Sequence, residues 1–172
     1  SKAFSKKAFK EVRENLFGES ISFLIAGGSD ISPEVLQFFN GIGYTMTDGF
    51  GMSEVGITSV ETSNKAKIRN SCSVGKPFKY AEYKLSEEGE LMVRGKCTAI
   101  RIVTADGEQE LNSEDWFGTK DLAKELNGRY YILGRKDDMI PCKTGENLNP
   151  DRIEAQLSVP GAVKFALIAR TN

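Results

Sequence analysis

The chain has 172 residues, 40% hydrophobic and 27% charged, which is enough apolar material for one ordinary core or two small ones. Lys plus Arg number 23 against 24 Asp plus Glu, so no overall field draws the chain to nucleic acid or to an anionic membrane. Histidine is absent, which excludes Ser-His-Asp and Cys-His catalysis, two-histidine metalloprotease helices and histidine general bases. In chain order, Phe4, Ala8, Val12 and Leu16 recur every fourth residue over 2 to 17 and predict an amphipathic helix stopped by Gly18. ISFLIA (21 to 26) reads as a short buried strand closed by Gly27-Gly28-Ser29-Asp30. Ser32-Pro33-Glu34 is a helix start, with Val35, Leu36, Phe38 and Phe39 as the buried side and Gly41 at the end. A strand over Tyr44 to Thr47 completes a parallel strand-helix-strand unit, whose carboxyl edge is where ligands bind in such layers.

From about Ser71 the pattern shifts to short strands and turns. FKYAEYKL, ELMVRG and AIRIV are strand-like, and LAKEL and RYYIL are joined by Asn127-Gly128, a two-residue hairpin signal. Beyond Leu133 a polar stretch leads into a short helix through about Leu157 and a final strand, VKFALIA. Fold class is therefore α/β. The end of a parallel layer (1–70) precedes a β-rich, distorted-barrel subdomain (71–133), then a hinge and the start of a small α+β domain (134–172).

Cys72, Cys97 and Cys142 are an odd number at wide spacings, which suits neither a disulfide framework nor a four-ligand zinc site. They are expected to be reduced thiols. No apolar run approaches the roughly 20 residues of a membrane span, and SKAFSKKAFKE lacks the apolar centre of a signal peptide, so a cytoplasmic location is expected.

Two segments are chemically unusual. TDGFGMSEVG (47 to 56) reads as a loop in which Gly49 and Gly51 flank Phe50, leaving room for a planar ligand beside an aromatic face. Ser53 and Glu54 then set a hydroxyl beside a carboxylate, a pair suited to a phosphate oxygen and its magnesium. The plain alternative is a Gly-rich turn with one buried phenylalanine. Neither Gly41-Ile42-Gly43 nor Gly49-Phe50-Gly51 completes the dinucleotide fingerprint. Ser73-Val74-Gly75-Lys76 with Lys143-Thr144-Gly145 mimics a serine-lysine hydrolase pattern, but Pro77 and a strand follow where that serine needs a helix. Residues 134 to 149 hold too many charges and turn formers for a core element; alone they read as a surface linker.

In order, AGGSDISPEV, DGFGMSEVG, WFGTKDLA and GRKDDMIPCKTGENLNPDRIE resemble four successive motifs of the adenylate-forming superfamily, which includes acyl-CoA synthetases, luciferases and peptide-synthetase adenylation domains. The resemblance covers nearly the whole chain. It implies ATP or AMP, Mg2+ and coenzyme A as cofactors, and a small carboxylic acid as substrate. Gly27, Gly28 and Ser29 would wall the adenine and acyl pocket; Asp48, Gly49, Phe50 and Gly51 would contact the nucleotide, Phe50 stacking on adenine where the family more often has tyrosine. Ser53, in place of the usual threonine, would face the α-phosphate, and Glu54 would bind the metal. Asp121 would accept the ribose hydroxyls and Arg135 would contact ribose and phosphate. Asp137 would be the pivot of a mobile carboxyl-terminal domain, with Lys143 and Gly145 on a loop turning toward the thioester-forming site. Lys120 departs from the family, which usually has glycine there.

The resemblance also implies a Ser/Thr/Gly-rich phosphate loop upstream and a catalytic lysine downstream, so a piece of a longer enzyme is expected, inactive alone. Acyl-CoA synthesis is the first reading. A domain loading a carrier-protein thiol, or a catalytically silent nucleotide-binding or interaction module, are the alternatives.

Overall fold

The computed structural model describes residues 2–21, 23–105, 107–141, 147–154, 157 and 166–167. The amphipathic stretch forms α1 (Lys2–Ala8) and α2 (Lys10–Phe17), bent at Phe9, where φ −110° and ψ 27° leave the helical basin. Gly18 ends α2 in a left-handed conformation at φ 75°, its N–H on the Glu14 carbonyl. The expected apolar face is not covered: Phe4, Val12 and Leu16 are all exposed, and α2 buries no residue. Periodicity identifies the face that favours burial, not whether a neighbour is there to bury it. Attachment is made at the far end, where the Phe17 ring lies 6.0 Å from Phe39 and 5.8 Å from Tyr44, and the buried Tyr44 donates its hydroxyl to the Arg13 carbonyl at 2.9 Å.

The first strand, β1 (Leu24–Ala26), is shorter than ISFLIA suggested and is not buried, because it forms the edge of its sheet; Phe23 and Ile25 are exposed. Helix α3 (Pro33–Gly41) starts as expected, the Ser32 hydroxyl accepting from the Val35 N–H. Its inward side differs from the expected one. Leu36 and Asn40, one turn apart, are buried, while Val35 and Phe38 are exposed. Asn40 is fully occupied: Nδ2 donates to the Leu36 and Met46 carbonyls, and Oδ1 accepts from Met46 N–H and from Arg69.

Strand β2 (Met46–Met52) pairs parallel with β1, setting Ala26 opposite Asp48, so the strand-helix-strand unit is present. It runs on through Gly49-Phe50-Gly51, so those residues are a strand and not a loop. The reason is the antiparallel neighbour β3 (Gly56–Val60). A Cβ on Gly51 would stand 2.6 Å from the Gly56 carbonyl oxygen, and one on Gly49 would stand 2.9 Å from Val60 Cγ2. The two glycines thus admit β3 at close range.

After α4 (Ala66–Arg69), β4 (Lys76–Pro77) closes the first sheet in the order β1-β2-β3-β4. A second, antiparallel sheet follows, made from β5 (Ala81–Leu85) and β6 (Glu90–Gly95). Next comes a separate ribbon of β7 (Arg101–Thr104) and β8 (Gly107–Glu110), then β9 (Phe117–Leu126) and β10 (Arg129–Arg135). The second sheet is ordered β10-β9-β6-β5. Its β9–β10 hairpin turns at Asn127 (φ 54°) and Gly128 (φ 72°), the two left-handed residues a tight hairpin needs. One core joins the sheets: Phe50, Val55 and Val74 pack with Leu91, Val93, Ala123 and Tyr130. The buried Glu61 carboxylate and Arg129 Nε, 2.9 Å apart, tie the end of β3 to β10.

Past β10, β11 (Ile140–Pro141) pairs with β12 (Asn147–Leu148), and α5 (Pro150–Glu154) follows. Cys142, Lys143, Gly145 and all of the expected final strand except Ala166 and Leu167, which are not assigned to a strand, lie outside the described residues. Among those described, no helix is long and apolar enough to cross a membrane.

Candidate functional site

Where β1 ends and the middle of β2 passes the open edge of the second sheet, a cavity of about 350 Å³ is left. Gly28, Ser29 and Asp30 line it from the turn after β1; Asp48, Gly49, Phe50 and Gly51 line it from β2; and Asp121 and Arg135 line it from β9 and β10. Eight residues singled out in the sequence therefore share one wall system, although they are far apart in the chain. Gly27 is not in the lining; it packs beside it, and a Cβ there would lie 3.3 Å from the Gly49 carbonyl oxygen.

Arg135 reaches Asp121 because the β9–β10 ladder is irregular. Ile132 pairs with Ala123 but Gly134 pairs with Leu122, leaving Leu133 as an extra residue, and the next pair is Arg135 with Asp121. The Leu133 carbonyl accepts instead from Asn149 Nδ2 at 2.6 Å. Arg135 Nη1 stands 3.6 Å from Asp121 Oδ1. Burial raises the Asp121 carboxyl above its ordinary value, while Arg135 and then Thr119 act against that rise. Thr119 orients the strand there, its hydroxyl oxygen accepting from the Asp121 N–H and donating to the Leu91 carbonyl.

Asp48 is more strongly perturbed. Burial lifts its carboxyl from 3.8 to about 7, a hydrogen bond from the Gly49 N–H opposes the rise, and the nearby Asp30 adds to it. The cavity thus combines three carboxylates with one arginine. Phe50 lies in its wall but is 8% exposed, with most of its ring in the shared core and edge-to-face with Tyr83 at 6.3 Å. It offers a ligand a rim of ring, not an open face.

A second chamber of about 630 Å³ adjoins the first, Met52 and Arg135 belonging to the walls of both. Glu54, Thr98, Trp116 and Lys120 line it, and the β7–β8 ribbon forms its outer side. Glu54 sits at the tight turn from β2 to β3, where its carbonyl accepts from the Ala99 N–H at 2.7 Å. Ser53 is exposed on that turn and lines neither space. Asp137 lies on the surface just past β10, its carboxylate 3.1 Å from Lys120 Nζ.

Several lining residues escaped the sequence reading: Asp30, Met52, Val74, Ile132 and Gly134. Asp30 had a usable signal, since it directly follows Gly27-Gly28-Ser29. Val74 and Ile132 had none, because an apolar residue in a strand looks the same whether it meets a core or a ligand. Among the described residues no group of three or more His, Cys, Asp or Glu is assembled to hold a metal by itself.

Residues 2–101 match the family model described as AMP-binding enzyme. Over 168 residues the chain is 29% identical to a long-chain-fatty-acid–CoA ligase of Mycobacterium bovis, covering 96% of this chain and 27% of that one. An O-succinylbenzoate coenzyme A synthetase from Bacillus subtilis in complex with AMP superposes with a TM-score of 0.72 at 23% identity, over 99% of this chain and 37% of that chain. The same enzyme in complex with ATP and magnesium ion gives a TM-score of 0.67 at 23% identity, over 94% and 36%. These structural likenesses concern the fold. The chain spans about a quarter of the length of the curated ligase it matches.

Proposed function

Because the chain belongs to the AMP-binding enzyme family, we propose that it forms the nucleoside-binding part of an AMP-forming acid–thiol ligase. Such an enzyme activates a carboxylic acid as its acyl-adenylate and passes the acyl group to coenzyme A. The observation that carries this reading is the convergence of Gly28, Asp48, Phe50, Asp121 and Arg135 on one cavity. Carboxylate acceptors, a cation and a strip of aromatic edge in a cleft of that size suit a ribonucleoside with its first phosphate.

Asp121 is the ribose acceptor in this reading. An ionised carboxylate accepts both hydroxyls at once, and Arg135 favours that ionised form while leaving its remaining N–H groups for a phosphate oxygen. The phosphates then extend past Met52 and Arg135 into the larger chamber, toward Glu54 and Lys120. Magnesium is commonly held by one or two carboxylates together with substrate phosphates, and Glu54, which lines that chamber with Glu110 and Asp115, suits this mode. When bound, the ion would withdraw charge from the phosphates as the acid attacks the α-phosphorus and pyrophosphate leaves. Arg135 stabilises the same developing charge from the protein side. Coenzyme A is the acyl acceptor proposed, in line with the ligase names among the relatives.

Titration calorimetry of the 172-residue chain with AMP tests the reading. Saturable binding that is lost in Asp121→Ala is expected. Equal affinity in the two proteins would remove Asp121 from the site, and no binding by either would overturn the assignment of the cavity.

A further inference from the structure

Lys120 has a backbone conformation that suits glycine. Its φ is +62°, and among the described non-glycine residues only Cys72 and Asn127 share a positive φ. A lysine held there is strained relative to glycine, so its surroundings must offset that strain. They do so at three points. The Lys120 N–H donates to Glu90 Oε1 at 3.0 Å, its carbonyl accepts from the Lys136 N–H at 2.7 Å, and its ammonium donates to Asp137 Oδ2 at 3.1 Å.

These contacts form part of a wider pattern. Three consecutive residues, the last of β10 and the two after it, each meet a charged partner on the sheet or at its edge: Arg135 meets Asp121, Lys136 meets Glu88 and Glu90, and Asp137 meets Lys120. Two cations followed by an anion thus fasten the outgoing segment across β6 and β9. Backbone contacts within the segment are fewer and longer, Asp138 N–H to the Arg135 carbonyl at 3.3 Å and Met139 N–H to the Lys136 carbonyl at 3.4 Å.

We propose that Lys120 is a positioning residue whose ammonium clasps Asp137 and so holds the segment from Arg135 onward against β9, keeping Arg135 in the wall of the nucleotide cavity. That last clause rests on the proposed function; the clasp itself does not. Only the ammonium requires a lysine, since glycine would satisfy the backbone better. Both partners are more than half exposed, so the clasp is screened by salt: the Debye length falls from about 8 Å at physiological ionic strength to about 3 Å at 1 M. Segment and sheet therefore separate more readily as ionic strength rises.

Three variants separate backbone from side chain. Lys120→Gly keeps the favoured φ and removes the ammonium, Asp137→Asn removes the other pole, and Lys120→Arg retains a cation. Amide hydrogen exchange at Lys136, Asp138 and Met139 reads the clasp without any ligand. Exchange about two- to fivefold faster is expected in Lys120→Gly and in Asp137→Asn, the range for an exposed ion pair. The double variant should be no faster than either single one, and Lys120→Arg should match the parent. Raising NaCl to 1 M should accelerate the parent more than Lys120→Gly, in which only the Arg135 and Lys136 pairs remain to be screened. Unaltered exchange in both single variants, or an equal salt response in parent and Lys120→Gly, overturns the clasp. Calorimetry with AMP then separates the two readings. Weaker binding in Lys120→Gly, restored in Lys120→Arg, supports the placement of Arg135. Failure of the parent to bind AMP while exchange responds as described refutes the nucleotide reading and leaves the clasp standing.

Discussion

Asp121 on β9 and Arg135 on β10 stand directly opposite each other at the open end of their hairpin, carboxylate and guanidinium 3.6 Å apart at the wall of one cavity. Burial raises the Asp121 carboxyl and Arg135 counters it, so the arginine favours the form able to accept two hydroxyls. Arg135→Gln should therefore move the acid limb of AMP binding to higher pH. Asp121→Asn should weaken binding across the whole range, by on the order of 10- to 100-fold for a lost charge-assisted interaction of about 1.5–3 kcal/mol. Calorimetry between about pH 5 and pH 8 checks both. An acid limb unmoved in Arg135→Gln would detach the arginine from Asp121.

Asp48 makes stability depend on pH. Its folded carboxyl lies at about 7, above its ordinary 3.8, so the folded protein holds this proton more tightly than the unfolded chain does. The associated stability is complete below the unfolded value, declines as pH rises through the interval and is gone above about 7. Asp48→Asn should flatten this dependence and raise the thermal midpoint at pH 8 more than at pH 5. Melting curves at those two values suffice, and parallel behaviour of parent and variant would contradict the assignment.

Phe50 contributes mainly through packing. Its ring lies in the core that joins the two sheets, so Phe50→Ala should lower stability by about 3–5 kcal/mol, the usual loss for a buried aromatic residue. Urea unfolding followed by circular dichroism measures this. A loss below about 1 kcal/mol would show that the ring is not bound into the core.

Gly51→Ala places a methyl group 2.6 Å from the Gly56 carbonyl oxygen and 2.8 Å from Ile57 Cα, both main-chain atoms that yield only by moving a strand. A loss of about 1–3 kcal/mol is expected, as for other forced overpacking. Unfolding midpoints in urea test it. A neutral effect would mean that β3 does not approach β2 as described.

How much was legible in the residues varied with the kind of signal. Short-range chemistry read well: Ser32-Pro33-Glu34 starts α3, Asn127-Gly128 turns the β9–β10 hairpin, and the parallel pair stands on either side of α3. Burial read poorly toward the amino-terminal end, since Phe4, Val12 and Phe38 have the right spacing yet are exposed. Gly49 and Gly51 lie in a strand where the pattern suggested a loop, for a physical reason. A glycine spaced for a close approach has the same letter whether a ligand or a strand approaches, and here β3 does. The shared cavity was legible only through the ordered motifs, because no local pattern announces that residues 28, 50 and 121 meet. Asp30 and the perturbed Asp48 depend on the burial around them, a property of the fold and not of the letters.

Leu133 has an effect out of proportion to its chemistry. Had the hairpin kept the phase set where Tyr130 meets Glu125 and Ile132 meets Ala123, Arg135 would have fallen opposite Lys120, cation against cation. The surplus residue advances β10 by one step, and Asn149 occupies the carbonyl this leaves over. Guanidinium then meets carboxylate, and Lys120 is left to engage Asp137. Charge complementarity at this edge is therefore a matter of counting: were Leu133 taken into the regular ladder opposite Leu122, attraction would become repulsion without a change in any ionisable group.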